Sequence, residues 1–263
     1  MTLTDSDAPP RSSHDAVIDW LLDADPSIRW QVMRDLTQAS AEIVAAERSR
    51  VALEGWGPRL LDRQRPAFFE GEVEPCINGR VVALGACFGE RSDRLVDRLL
   101  GEQLVDGGWN CEAERGAVRS SVHTTICVLE GLLAFEKAFG AAPTVAEARR
   151  RAHEYLLDRR LLGRLSTGEI IEPTWTQFAF RTLWHYDVLR ALDYLRAAGV
   201  TPDARVAEPV ATVLERRQDS GRWLLDVRHR NTVHEELAGT VGEPNGWNTL
   251  RARRVLAWSA RRA

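Results

Sequence analysis

The chain has 263 residues, 44% of them hydrophobic, with a formal net charge of -3 and a pI near 6.1. That length buries a sizeable core as one large domain or two small ones, and the charge excludes a global basic field suited to nucleic acid. No apolar run is long enough to span a bilayer, and the opening "MTLTDSDAPPRSS" lacks the basic start and apolar stretch of a secretory signal. The expectation is a cytoplasmic protein, with residues 1–13 as a disordered lead-in and 14–263 as a single domain. Cys76, Cys87, Cys111 and Cys127 are then expected as thiols or metal ligands rather than disulfides.

Strand signals are weak, because period-two alternation is rare and β-branched residues do not cluster. Helical periodicity is strong. "HDAVIDWLLDAD" (14–25) places Val17, Trp20 and Leu21 on one face. "PSIRWQVMRDL" (26–36) starts on Pro26 and carries Ile28, Val32 and Leu36 along a stripe. "SAEIVAAERSRVALEG" (40–55) starts on a serine cap and stops at Gly55, and "WGPRLLDRQ" (56–64) extends it after a kink at Pro58.

A beat follows. "PCINGRVVALGACFG" (75–89) is small and apolar nearly all round, while "ERSDRLVDRLLGEQL" (90–104) is amphipathic. "SSVHTTICVLEGLLAFEKAFG" (120–140) is again almost uniformly apolar, and "TVAEARRRAHEYLLDRRLL" (144–162) is again amphipathic. "WHYDVLRALDYLRAAG" (184–199) and "TPDARVAEPVATVLERRQ" (201–218) repeat the alternation, and "GWNTLRARRVLAW" (246–258) closes it. Buried helices alternating with half-exposed ones predict a two-layer, all-α array.

The joints of this array carry a string. "LLGEQLVDGGWNCE" (99–112) runs from Gln103 through a polar turn and two glycines to Trp109, and "LERRQDSGRWLLD" repeats it thinly from Gln218 to Trp223. Gln64 in "LLDRQRPAFFEG" is a decayed third copy. "LLDRRLLGRL" (156–165) sits at the fourth expected place without the glutamine. The string resembles the QW repeat of the squalene cyclase and protein prenyltransferase superfamily, over most of the chain from residue 14 onward. The resemblance implies an α/α toroid, inner and outer helices alternating around a central cavity. Within it the Gln ties down helix-end groups and the Trp stacks beneath, a structural staple rather than a catalytic device.

The departures are specific. The Asp-x-Asp-Asp run of class II terpene cyclases is missing, "DADP" (23–26) being the nearest string, and aromatics make up only 7% of the chain. Classical squalene cyclisation is therefore excluded. The resemblance implies instead a cyclisation, isomerisation or group transfer on a small, partly apolar substrate. The alternative is a non-catalytic ring that binds a lipid or a partner protein.

In a toroid the helix starts at "EPCINGR", "RSSVHTT", "LWHYDV" and "GWNTLR" line one mouth of the cavity. Cys76, Cys111, His123 and His185 then form a soft Cys2His2 set suited to zinc, with Asp187 as a substitute ligand. The superfamily's zinc-binding prenyltransferases point the same way, although the spacing matches no local zinc motif. A metal-free reading uses His185 or His123 to move a proton, with Tyr186 beside them and Asp187 or Glu172 assisting. The bland readings make Glu172 and Asp187 helix-start caps, Cys87 and Cys127 core residues, and His14 and His153 surface residues. "VHEEL" (233–237) adds His234, Glu235 and Glu236, but no His-Glu-x-x-His zinc-protease helix is present.

Overall fold

The computed structural model describes residues 13–51, 53–55, 73–140, 142–229 and 239–260. Among the described residues the regular structure is helical: α1 (Ser13–Leu22), α2 (Pro26–Asp35), α3 (Ala41–Arg50), α4 (Pro75–Phe88), α5 (Asp93–Gly101), α6 (Val122–Phe139), α7 (Pro143–Leu157), α8 (Val188–Ala197), α9 (Ala207–Glu215) and α10 (Gly246–Ser259). β-structure there is limited to isolated bridges, such as Gly163 with Ile170. The all-α expectation therefore holds. The helix expected over 56–64, and the strings around Gln64 and His234, lie outside the described residues.

Local chemistry sets the boundaries. Pro26, Pro75 and Pro143 stand at first-turn positions, where the missing N–H costs nothing. Ser40, Ser121, Asp187 and Asn245 cap the helices that follow them with side-chain oxygens. Gly89 ends α4 in a left-handed conformation (φ 79°), which a side chain would strain.

The expected alternation of layers is visible in the burial. Helix α6 buries nearly its whole surface, whereas α5 buries only Leu95, Val96 and Leu99. Helices α4, α6, α8 and α10 run parallel. Lys137 near the end of α6 bonds the Ala197 carbonyl near the end of α8, while Cys127 near the start of α6 meets Arg190 in the first turn of α8. Trp258 in the last turn of α10 donates to the Val200 carbonyl just beyond α8. Helix α7 returns antiparallel on α6, with the Tyr155 hydroxyl donating to the Ser120 carbonyl. A second, smaller cluster joins α1 and α2 to α10 through Val17, Leu21, Ile28, Val32 and Leu250.

The tightest contact is α4 on α6. A Cβ on Gly79 would lie 2.6 Å from the Cys127 carbonyl oxygen, and one on Gly131 would lie 2.1 Å from the Gly79 carbonyl oxygen. The two backbones touch, and only glycine permits it. Helix α4 is nevertheless less enclosed than its sequence suggests. Ile77, Leu84 and Phe88 are exposed, and so is Cys87, expected in the core. Cys87 lies on the face turned away from α6, so its apolar neighbours in sequence do not enclose it.

The staple exists, but its essential member is the tryptophan. Trp109 Nε1 donates to the Leu99 carbonyl, and Trp223 Nε1 to the Val213 carbonyl, each ten residues back. The Trp109 amide donates to Thr125 Oγ1 in α6, and the Trp223 amide to Thr249 Oγ1 in α10. Aligned on these bonds, Gly107 falls on Gly221, Leu104 on Gln218 and Gln103 on Arg217. The two glutamines are thus not equivalent. Gln103 donates to the Gly107 and Ala148 carbonyls and accepts from Arg151, joining its turn to α7. Gln218 is exposed, and among the described residues its side chain reaches only the Arg216 carbonyl. At the place without a glutamine, the Tyr186 hydroxyl donates to the Leu161 carbonyl instead.

Two predictions follow from these contacts. Gly131→Ala is expected to destabilise the protein by about 3 kcal/mol in urea denaturation, an overpacking cost. Gly101→Ala, whose Cβ meets nothing within 4 Å, should change stability by no more than about 0.5 kcal/mol. In the same assay Gln103→Ala should cost about 1–2 kcal/mol and Gln218→Ala close to none. Equal losses would mean that both glutamines act as staples.

Candidate functional site

The parallel layer places the starts of α4, α6 and α8 at one pole, where the positive ends of their dipoles favour anions. Cys76 stands in the first turn of α4, directly after Pro75. The glycine contact holds that turn against α6. Cys111 arrives by another route, two residues beyond the stapled Trp109. Its amide donates to Thr124 Oγ1, and the Thr124 hydroxyl donates to Cys111 Sγ at 3.4 Å. The expected meeting of Cys76 and Cys111 is thus realised.

Their third neighbour is Glu74, not a histidine. Ligand atoms of Glu74, Cys76 and Cys111 all lie within 4.8 Å of one another. Glu74 holds the N-cap position of α4 but makes no side-chain cap bond, and its Oε2 lies 3.7 Å from Cys76 Sγ. The sequence signal was available in "EPC", an acid two residues before a helix-start cysteine. A hydrogen bond joins the two sulfurs. The hydrogen bond from Cys76 pulls the Cys111 thiol down to about 6, and the same bond holds Cys76 well above the usual thiol range.

The donor set fits zinc. Zinc–sulfur bonds of about 2.3 Å and zinc–oxygen bonds of about 2 Å put neighbouring tetrahedral donors about 3.5–3.8 Å apart, and the Glu74–Cys76 separation of 3.7 Å matches such an edge. Two thiols and a carboxylate supply three positions and leave a fourth for water or substrate.

The histidines expected in this set have other partners. His123 Nδ1 accepts the Tyr186 amide at 2.9 Å, so the neutral ring carries its proton on Nε2. A metal on Nε2 would require that proton on Nδ1, where the Tyr186 N–H already points. His185 lies in a stack, 3.8 Å from the Trp184 ring and 3.6 Å from that of His229, with the two imidazoles 7° from parallel. Imidazole lone pairs lie in the ring plane, so parallel rings do not converge on one ion. His229 escaped sequence reading because it sits in a loop with no periodic context.

The residues expected to do acid–base work are mostly absorbed by the fold. Asp187 is buried and caps α8, its Oδ1 accepting the Arg190 amide at 2.7 Å, with Arg251 3.5 Å away. Burial raises its pKa, partly offset by Arg251. Tyr186 is buried, its hydroxyl committed to Leu161, and burial lifts its pKa well above the phenol range. Glu172 is exposed and caps the short turn Pro173–Thr176, its Oε1 accepting the Thr174 amide at 3.3 Å. The cap reading is therefore the one realised for both acids. Cys127 is a core residue as expected, and its sulfur also meets Arg190 at 3.4 Å. His153, expected on the surface, is half-buried with Nε2 2.8 Å from the Tyr194 hydroxyl.

What remains at the pole is a thiol–carboxylate cluster beside a wall of neutral rings. His123 makes edge contacts with Trp175, Trp184 and His185. Burial, then His185, lowers His123 to about 4, and burial, then His229, does the same for His185. Compared with known protein families, with curated proteins and with solved structures, the chain gives no match. No helix among the described residues is long and apolar enough to cross a membrane.

A pH dependence follows. Burial holds His153 at about 4 in the folded chain, against 6.5 for a free imidazole. The unfolded chain therefore takes up this proton first, as it does for His123 and His185. Their stabilising contribution is complete above about pH 6.5 and is lost as the pH falls towards 4. The melting temperature should drop across that window, and His153→Gln should make the drop shallower. A wild-type melting temperature flat from pH 7 to 4.5 would contradict these protonation states.

Proposed function

We propose that the protein is a zinc-dependent enzyme of the α/α-toroid kind, with the helix layers closing around a central cavity as the QW-like staples imply. It acts on a small, partly apolar substrate at the pole where α4, α6 and α8 begin. The observation that carries this reading is the meeting of Glu74, Cys76 and Cys111, brought together from two separate segments by a glycine contact and a tryptophan staple. Glu74, Cys76 and Cys111 would hold the ion, which when bound supplies a Lewis acid at an open position. The chain's own groups do the rest. Thr124 orients the Cys111 sulfur through its hydroxyl. Trp184, backed by His185, offers an apolar face to a substrate, and the His123 Nε2–H offers a donor. The reaction class this arrangement favours is group transfer or isomerisation on a polarised substrate.

Protein expressed with zinc is expected to hold one equivalent by elemental analysis. Cobalt substitution should give the charge-transfer absorption of two thiolate ligands. Cys76→Ala and Cys111→Ala should each lose stoichiometric metal with helix content unchanged, His123→Ala should keep it, and Thr124→Val should weaken it about tenfold. Absence of stoichiometric metal, or a cobalt spectrum without thiolate bands, refutes the reading.

A further inference from the structure

The loop from Arg181 to Asp187 is fixed by side chains from three helices. The Leu183 carbonyl accepts from Arg80 of α4. The Trp184 carbonyl accepts from the Cys127 thiol of α6 at 3.8 Å, and the His185 carbonyl from Arg190 of α8 at 2.6 Å. The Tyr186 amide is held by His123. Leu183 sits at φ 51°, a left-handed conformation uncommon for a residue with a side chain. Three successive carbonyls are thus pinned by side chains within a loop that belongs to no helix.

What this loop presents is Trp184. Its side chain is 51% exposed, whereas Trp109, Trp175, Trp223 and Trp258 are all buried. An indole left in water forgoes burial worth about 2–3 kcal/mol, and an unused one would be free to fold down on the loop. Here it is backed by His185, which is backed in turn by His229, so one face is supported by a stack of rings. A rigid, supported aromatic face with exposed surface suits a second planar ring.

The charges nearby select among planar ligands. Arg80 is exposed and held at Leu183, the residue before Trp184, by a bond that uses one of five guanidinium donors. The N-terminal ends of α6 and α8 add positive potential. A cationic ligand is disfavoured there, and a carboxylate is met by a fork that matches its geometry.

We propose that Trp184 and Arg80 form the binding platform for an aromatic carboxylate, with the ring stacked on the indole and the carboxylate on the guanidinium. This names the substrate class of the pole described above; it rests on that reading only for the claim that the bound acid reacts.

The test is calorimetry on the full chain, both zinc-replete and chelator-treated, with 2-naphthoate as the probe. One site is expected, with 2-naphthamide and a saturated decalin carboxylate each about tenfold weaker, and a naphthyl trimethylammonium weaker still. Trp184→Ala, an exposed change that should leave the helical signal intact, is expected to weaken 2-naphthoate about tenfold. Arg80→Gln should erase the difference between naphthoate and naphthamide. Naphthoate binding unaltered by Trp184→Ala, a preference for the cation, or no binding at millimolar probe overturns the proposal, even if zinc is present. Zinc absent while naphthoate still binds at Trp184 would overturn the metal reading and leave this one standing.

Discussion

The contact of Gly79 with Gly131 is the constraint on which the rest of the structure depends. Helices packed through side chains keep their axes about 8–10 Å apart. Here a single methyl at either position would collide with backbone. The close approach seats the first turn of α4 against that of α6, which brings Cys76 within reach of a loop entering α6 from the other side. Without it, Cys76 and Cys111 would be cysteines at two unrelated turns. The glycine within "CINGRVVALGA" thus has a structural consequence, the placing of its cysteine.

The second constraint is the tryptophan staple, which fixes Cys111. Trp109 is fully buried and bonded at both its ring nitrogen and its amide, so the chain leaving it has one exit direction. Trp223 repeats the arrangement with Thr249 in place of Thr125. The pairing of tryptophan with a threonine in the helix that follows it is therefore the repeated unit, and the glutamine is local reinforcement. Gln103 has Arg151 and the Ala148 carbonyl within reach, and Arg217 stands at its counterpart. The spacing already carried this difference, because Gln218 stands one residue nearer its tryptophan than Gln103 does.

Much of the fold was legible because helical period and caps are local signals. Pro26 and Ser40 mark helix starts in the sequence and in the structure. The pairing of Cys76 with Cys111 was legible too, since each followed a turn ahead of or at the start of an apolar helix. The fate of the histidines was not. Whether His123 offers a lone pair to a metal depends on the Tyr186 amide, which lies 63 positions away in the chain. His153 looked solvated because its helix is highly charged, yet it faces Tyr194 on α8. Burial of one side chain on a mixed face depends on what packs there, and no local pattern encodes that.

The parallel layer also bears on where Cys76 and Cys111 stand. Near the C-terminal ends of α2, α6 and α8 stand Arg34, Lys137 and Arg196, with Arg254 of α10 close by. Negative dipole ends and acids account for them. Arg254 pairs with Asp35 at 2.5 Å, Arg196 with Asp193 at 2.8 Å, and Lys137 donates to the Ala197 carbonyl at 2.7 Å. Burial, then the neighbouring arginines, lowers the Lys137 pKa. At the opposite pole the dipoles have the other sign, and Glu74, Cys76, Cys111 and the N-capping oxygens of Ser121 and Asp187 stand there together with Arg190 and Arg251. A thiolate is stabilised at the starts of helices and penalised at their ends. Helix direction therefore favours the end of the layer where Cys76 and Cys111 meet as the place for a thiolate.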